Sequence, residues 1–334
     1  MSHSRVTAIQ PIRAIEGGRI SLQGSQLLPV DGSLPEIQVG GTPARVVFAS
    51  ASTVSILVPS GIAQHGALPV RISSVTGETA FVQVARTLAT GLHQVDSPAT
   101  DREANLYFTF SGTRGQQVPV SIFRVRPNGT RETFATGIVN PTSMAVDAEG
   151  RLYVSSRFES TVYRLERDGQ ASVFASDLGV ACGLAFSSDG SLFVGDRSGT
   201  IFKVDREGHA QPFATVPASV AAFHLAFAPG DVLFVSAPTL STYDSLFRVD
   251  PDGTVTALPY RFGRPQGLAV DAHGTLYVIE ALAGTSGLYR IPRAAEGGEP
   301  ELFLAGPNLV GVAFTVDGGL VVCSNETAYR LDSF

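Results

Sequence analysis

An all-β fold in two parts, a small sandwich followed by a six-bladed β-propeller, is predicted by three features of this 334-residue sequence. A hairpin-like unit recurs six times at a spacing of about 40–46 residues. The first eighty or so residues lack that unit and alternate apolar with polar residues between tight turns. Composition agrees: 44% hydrophobic residues, 35 Gly, 20 Pro and only 16% charged residues describe a turn-rich β protein with a large core.

Residues 5–85 predict six or seven short strands, at Ile20–Leu22, Ile37–Val39, Ala44–Val46, Val54–Val58, Val70–Ile72 and Phe81–Val84, separated by Gly-Gly, Asp-Gly and Pro turns. That count in about eighty residues fits an immunoglobulin-like sandwich without the Cys-Trp-Cys core of antibody domains.

From residue 86 onward the repeat takes over. Its first strand carries an alanine column, Ala99, Ala145, Ala185, Ala226, Ala269 and Ala313. Seven residues later comes a leucine column, Leu106, Leu152, Leu192, Leu233, Leu276 and Leu320, followed by Tyr107, Tyr153, Phe193, Phe234, Tyr277 and Val321. A third strand holds an aromatic-basic pair in every copy, from Phe123-Arg124 to Tyr329-Arg330, and a fourth run closes most copies, as in Thr133-Phe-Ala135. Four strands repeated six times is the signature of propeller blades. The invariant alanines are expected where strands crowd near the axis, and the Leu and aromatic columns between blades. The last copy has only three strands. Arg86-Thr-Leu-Ala-Thr-Gly-Leu92 echoes Glu132-Thr-Phe-Ala-Thr-Gly-Ile138, so the strand at about residues 86–89 is expected to complete the last blade, close the ring and hold the sandwich tightly to the propeller edge.

Two resemblances arise from these residues. Ile9-Gln-Pro11, Gly17-Gly18, Ile20-Ser-Leu-Gln-Gly24, Val39-Gly-Gly41 and Val54-Ser-Ile-Leu-Val-Pro59 resemble the IPT/TIG family, whose members act as spacers, dimerising modules or, in some extracellular bacterial proteins, surface or carbohydrate-associated modules. Gly-Leu-Ala-Val-Asp, an acidic-Gly turn, Leu-Tyr-Val and Leu-Tyr-Arg-Ile are similar to the NHL repeat and to the six-bladed SMP-30 and gluconolactonase family. The second resemblance implies a divalent metal at the channel mouth, held by Glu, Asn, Asn and Asp from different blades, and lactone hydrolysis.

Chemistry is expected at that mouth, because the start of a first strand and the end of its hairpin partner lie at one end of a blade. The first-strand ring is Asp96, Thr142, Cys182, Phe223, Gln266 and Val310. The second-strand ring is Phe110, Ser156, Asp196, Ala237, Glu280 and Ser324, with Arg157, Arg197 and Asn325 one step beyond and His224 beside Phe223. Residues that depart from the repeat are the ligand-binding candidates: Asp96, Thr142, Arg157, Asp196, Arg197, Phe223, His224, Gln266, Glu280 and Asn325. Asp96, Asp196, Gln266 and Glu280 are the candidate ligands for a hard cation such as Ca²⁺. The commoner use of such strand-end acids is to cap a turn or pair with Arg157 or Arg197. The metal-binding asparagines that the lactonase resemblance implies are missing from the first-strand ring. His224 stands where other copies have Gly183, Gly267 and Gly311, which brings a titratable ring to the channel, although packing against an apolar lining is the plainer role. The segment from Ala237 to Ser245 is an insertion expected to border the ligand face.

Other classes are excluded or unsupported. A formal charge of −6 with scattered Lys and Arg argues against a nucleic-acid partner. No eighteen-residue apolar run predicts a membrane span, and the first seven residues lack the apolar run of a secretion signal; an extracellular or periplasmic location would require a signal already removed, and otherwise the cytoplasm is expected. The two cysteines fall in different copies and read as small hydrophobes. Asp250-Pro-Asp-Gly253 occupies a blade turn. Three functions remain: a propeller binding a small polar ligand, peptide or glycan, with the sandwich as spacer or docking module; a metal-assisted, lactonase-like hydrolase; and an extracellular self-assembling protein.

Overall fold

The computed structural model describes residues 4–75, 79–221, 223–281, 284 and 286–332. Their regular secondary structure is almost entirely β, with a single short 3-10 turn at Ala294–Glu296 among the described residues. Six four-stranded antiparallel units follow one another as blades 1 to 6, and their first strands are Ala99–Thr100, Pro141–Val146, Ala181–Phe186, His224–Ala228, Pro265–Val270 and Leu309–Phe314. Each first strand neighbours the next, and that of blade 6 returns to that of blade 1, so the six line a central channel.

The registers explain the sequence columns. Every column alanine faces the column aromatic of the adjoining strand, as in Ala145↔Tyr153 and Ala269↔Tyr277, with Val321 taking that place opposite Ala313. The third-strand base then pairs with the same residue from the other side, as in Tyr153↔Arg164 and Tyr277↔Arg290. Pleating sends the Leu and aromatic residues to opposite faces of each blade, and both faces are covered by neighbours. Tyr153 meets Phe186 of the next blade edge-on at 5.0 Å, Phe193 meets Phe227 at 5.0 Å, and Tyr277 meets Phe314 at 4.9 Å. Six hydrophobic clusters fill the six spaces between adjacent blades. Each fully buried Phe among them, such as Phe108 and Phe234, stabilises by roughly 1.5–3 kcal/mol relative to its exposed state.

Two residues before the column alanines, the glycines of the first strands also lie in close backbone contact with the neighbouring blade. A Cβ on Gly183 would sit 2.4 Å from the Phe223 carbonyl oxygen of the next blade, and one on Gly311 would sit 2.4 Å from that of Asp96. Neither glycine position admits a side chain without backbone movement.

The strand Arg86–Thr90 pairs antiparallel with Thr327–Leu331, and so supplies the fourth strand of blade 6. The sandwich consists of one sheet built from Arg5–Gln10, Arg19–Ser25, Thr53–Leu57 and Arg45–Ala49, facing a second built from Arg13–Ala14, Ala80–Val84, Gly66–Ile72, Ile37–Val39 and Thr42–Pro43. Their apolar inner faces, including Ile20, Leu22, Ile56, Val70 and Val82, form one core. The second sheet does not stop at its own edge. Arg13–Ala14 pairs in parallel with Glu301–Ala305 of blade 5, which makes nine continuous strands. Ala305 packs in the sandwich core, Ile15 packs between blades 5 and 6, and the Tyr329 hydroxyl donates to Glu16 Oε1 at 3.1 Å.

Candidate functional site

Where the first strands begin, the loops ahead of them and the residues just past the second strands converge. They enclose a cavity of about 290 Å³ lined by Arg157, Arg197, Arg264, Gln94, Gln266 and Asn325, with Cys182, Val95, Val220, Ala221 and Val310 supplying the apolar part. Arg157 and Arg197 follow the second strands of blades 2 and 3, and Arg264 immediately precedes the first strand of blade 5.

Beneath this cavity one contact spans the ring. His224 of blade 4 occupies the glycine column, so its side chain projects into the space that the glycines leave bare. Its Nδ1 lies 2.5 Å from Oδ1 of Asp96, which precedes blade 1 on the opposite side of the axis, and its Nε2 lies 3.3 Å from Oε1 of Gln266 of blade 5. Both partners of the Asp96–His224 contact are buried, with His224 1% and Asp96 3% exposed. An imidazolium donating through both nitrogens satisfies this arrangement; so does the neutral ring, if the Gln266 amide is turned to donate. Asp96 Oδ1 also accepts the Ser97 N–H at 2.6 Å. His224 is thus a hydrogen-bonded tie between blades 1, 4 and 5, where packing against an apolar lining had been the plainer expectation.

The other acids are engaged locally. Asp196 accepts the Val180 N–H at 2.7 Å and the Ser198 hydroxyl. Glu280 accepts the N–H groups of Gly263 and, at 2.9 Å, Arg264. Each thus clamps the loop that leads into the first strand of its own blade, the turn-capping use common for strand-end acids. Among the described residues, no group of three or more His, Cys, Asp or Glu side chains is placed to hold a metal ion. Asp96, Asp196, Gln266 and Glu280 therefore do not assemble one donor set, and a hard cation does not fit the residues present.

Of the sequence candidates, the cavity gathers Arg157, Arg197, Gln266 and Asn325. Thr142 is buried and donates to the Asn140 carbonyl, and Phe223 is buried in the core between blades 3 and 4, over Gly195. Gln94 and Arg264 escaped sequence reasoning because they lie in loops ahead of the aligned columns. The insertion after Ala237 does not line the cavity. It supports it from outside, where the Val220 N–H donates to the Pro238 carbonyl at 2.9 Å.

The mouth is cationic. Arg157 Nη2 donates to Ser111 Oγ at 3.3 Å, Arg197 Nη2 donates to the Val220 carbonyl at 2.9 Å, and none of the three arginines forms an ion pair among the described residues. Burial, and then the positive charges of Arg197 and Arg114, hold the Arg157 guanidinium below its ordinary range. Burial followed by Arg157 lowers His93 in the same way. Burial raises the Cys182 thiol to about 12, which leaves it protonated and unreactive at neutral pH.

No protein-family model matches this sequence, and no curated protein matches it. Solved structures do share the architecture. An auxiliary nutrient-binding protein from Bacteroides thetaiotaomicron is 13% identical, with 98% of this chain and 97% of that one covered at a TM-score of 0.57. A gluconolactonase from Xanthomonas campestris is 18% identical over 74% of this chain and 89% of its own, at a TM-score of 0.59. Virginiamycin B lyase from Staphylococcus aureus is 13% identical over 89% and 99%, at 0.53. At such identities the likeness establishes the all-β propeller fold and leaves chemistry to the site itself.

Proposed function

We propose that this chain is a binding protein that holds a small polar ligand at the mouth of an NHL-type propeller formed by residues 86–334, with residues 5–85 as a TIG-like spacer. One observation carries the reading. The strand-end acids that a metal-dependent hydrolase would use are committed to backbone amides and to His224, while the cavity above them is lined by guanidinium and amide groups. Such lining binds and orients a polar molecule, and supplies neither a metal-activated water nor a general base of its own. The likeness to nutrient-binding proteins across nearly the whole chain, sandwich included, supports the same reading.

Metal analysis of the purified protein, combined with lactone-hydrolysis assays before and after chelation, tests the distinction. The expected result is no stoichiometric divalent ion and no chelator-sensitive turnover, with saturable binding of a small polar molecule detected by ligand-observed NMR and weakened by Gln266→Leu. Chelator-sensitive hydrolysis that disappears in Glu280→Gln would restore the hydrolase.

A further inference from the structure

Given a small polar ligand at the mouth, the charges around it select its chemical class, an inference that rests on the binding function proposed for the chain. Many other arginines of the propeller are paired with acids. Arg124 meets Glu132, Arg248 meets Asp250, Arg290 meets Glu301, and Arg330 meets both Asp317 and Asp332. Arg157, Arg197 and Arg264 converge on one cavity without a carboxylate partner among the described residues, although the protein as a whole carries a formal charge of −6. The Arg264 side chain has no hydrogen-bond partner among those residues either. The strand-end acids Asp196 and Glu280 are engaged by the loops ahead of their own blades, Asp196 by the Val180 N–H and the Ser198 hydroxyl and Glu280 by the N–H groups of Gly263 and Arg264.

Gathering like charges in a partly buried cleft raises the free energy of the empty site, and a bound anion relieves it. Guanidinium is also the side chain best shaped for bidentate contact with a planar or tetrahedral oxyanion. The amides add a second element. Asn325 Nδ2 donates to the Gln94 carbonyl at 2.9 Å, and one end of the Gln266 amide faces His224, which leaves Asn325 Oδ1 and the other end of the Gln266 amide without protein partners among the described residues. Uncommitted amide atoms beside three cations suit a molecule that carries hydroxyl groups as well as a negative charge.

We propose that the channel mouth binds a small hydroxylated molecule bearing an oxyanion group, a carboxylate or a phosphate, with Arg157, Arg197 and Arg264 holding the anion and Gln266 and Asn325 its hydroxyls. A volume of about 290 Å³ stands at the lower end of small-molecule pockets, which run to about 300–1,000 Å³, so one such molecule fills it.

Calorimetric titration of the full chain with gluconate, citrate and inorganic phosphate, set against the neutral polyol glucitol, tests this at two salt concentrations. At least one anion is expected to bind saturably where glucitol does not, with affinity falling as salt rises. The winning probe distinguishes carboxylate from phosphate. Arg264→Gln, which removes no side-chain hydrogen bond or ion pair among the described residues, is expected to weaken binding roughly 10-fold or more, the scale of one charge-assisted hydrogen bond. The exposed Arg102→Gln serves as a charge-matched control and is expected to leave affinity unchanged. Glucitol binding as tightly as gluconate, or anion binding unaffected by Arg264→Gln, overturns the anion assignment. If every anion fails at millimolar concentration while a neutral molecule binds in a Gln266-dependent manner, the anion assignment falls and the binding function stands; if nothing binds, both fall.

Discussion

Removing the Asp96 carboxylate would leave His224 facing the channel with only Gln266 beside it, in a space closed to water. Breaking one side of a buried pair costs about 3–5 kcal/mol, whereas removing both sides costs less because no charge is left unmatched. Asp96→Ala is therefore expected to lower the urea midpoint strongly. The double variant Asp96→Ala, His224→Gly, which restores the glycine of the other blades, is expected to recover part of that loss. Additive losses in the two single variants would show that the pair is not coupled. The sequence disclosed that His224 breaks the glycine column, and with it that the residue is special. It did not disclose Asp96 as the partner, because the two lie 128 residues apart and meet only once six blades have closed into a ring. Arg264 was hidden for a different reason: charge at a cavity depends on which acids are already occupied, and the hydrogen bonds of Glu280 are not written in its spacing.

Strands were far more legible than sites, since each blade repeats the same constraint. The alanine, leucine and aromatic columns fall into register pair by pair because a pleated strand admits no other spacing once both faces are buried. The closing strand Arg86–Thr90 was visible through its likeness to residues 132–138, and it pairs Arg86↔Arg330 through Thr90↔Thr327. A chain beginning at residue 92 would lose it and bare the backbone edge of Thr327–Leu331, an invitation to intermolecular pairing. Such a chain is expected to aggregate more than one beginning at residue 86 on size exclusion, since both lose the sandwich but only the first loses the strand; equal behaviour of the two would deny this strand its closing role. The parallel seam between Arg13–Ala14 and Glu301–Ala305 gave no sequence signal. Two residues carry no periodicity, and the match is fixed by packing of Ala14 and Ala305 into a shared core.

At the scale of the molecule, that seam makes the sandwich and blade 5 one sheet of nine strands. Unfolding either part exposes apolar surface on the other, so a single calorimetric transition is expected for the intact chain. Ala14→Asp, which buries a charge at the seam, is expected to split it into two; a wild-type protein that already melts in two steps would show the seam to be energetically minor. The closing strand has a further consequence during biosynthesis. Arg86–Thr90 leaves the ribosome more than two hundred residues before Thr327–Leu331, the segment that it must join. At about 5–20 residues per second, it waits roughly 10–50 s as an unpaired edge. Blade 1, whose Leu106, Phe108 and Val125 pack with Ala89 and Leu92, follows it directly from the ribosome and is placed to cover its apolar face during that wait, which gives the first blade a duty in assembly quite apart from any ligand.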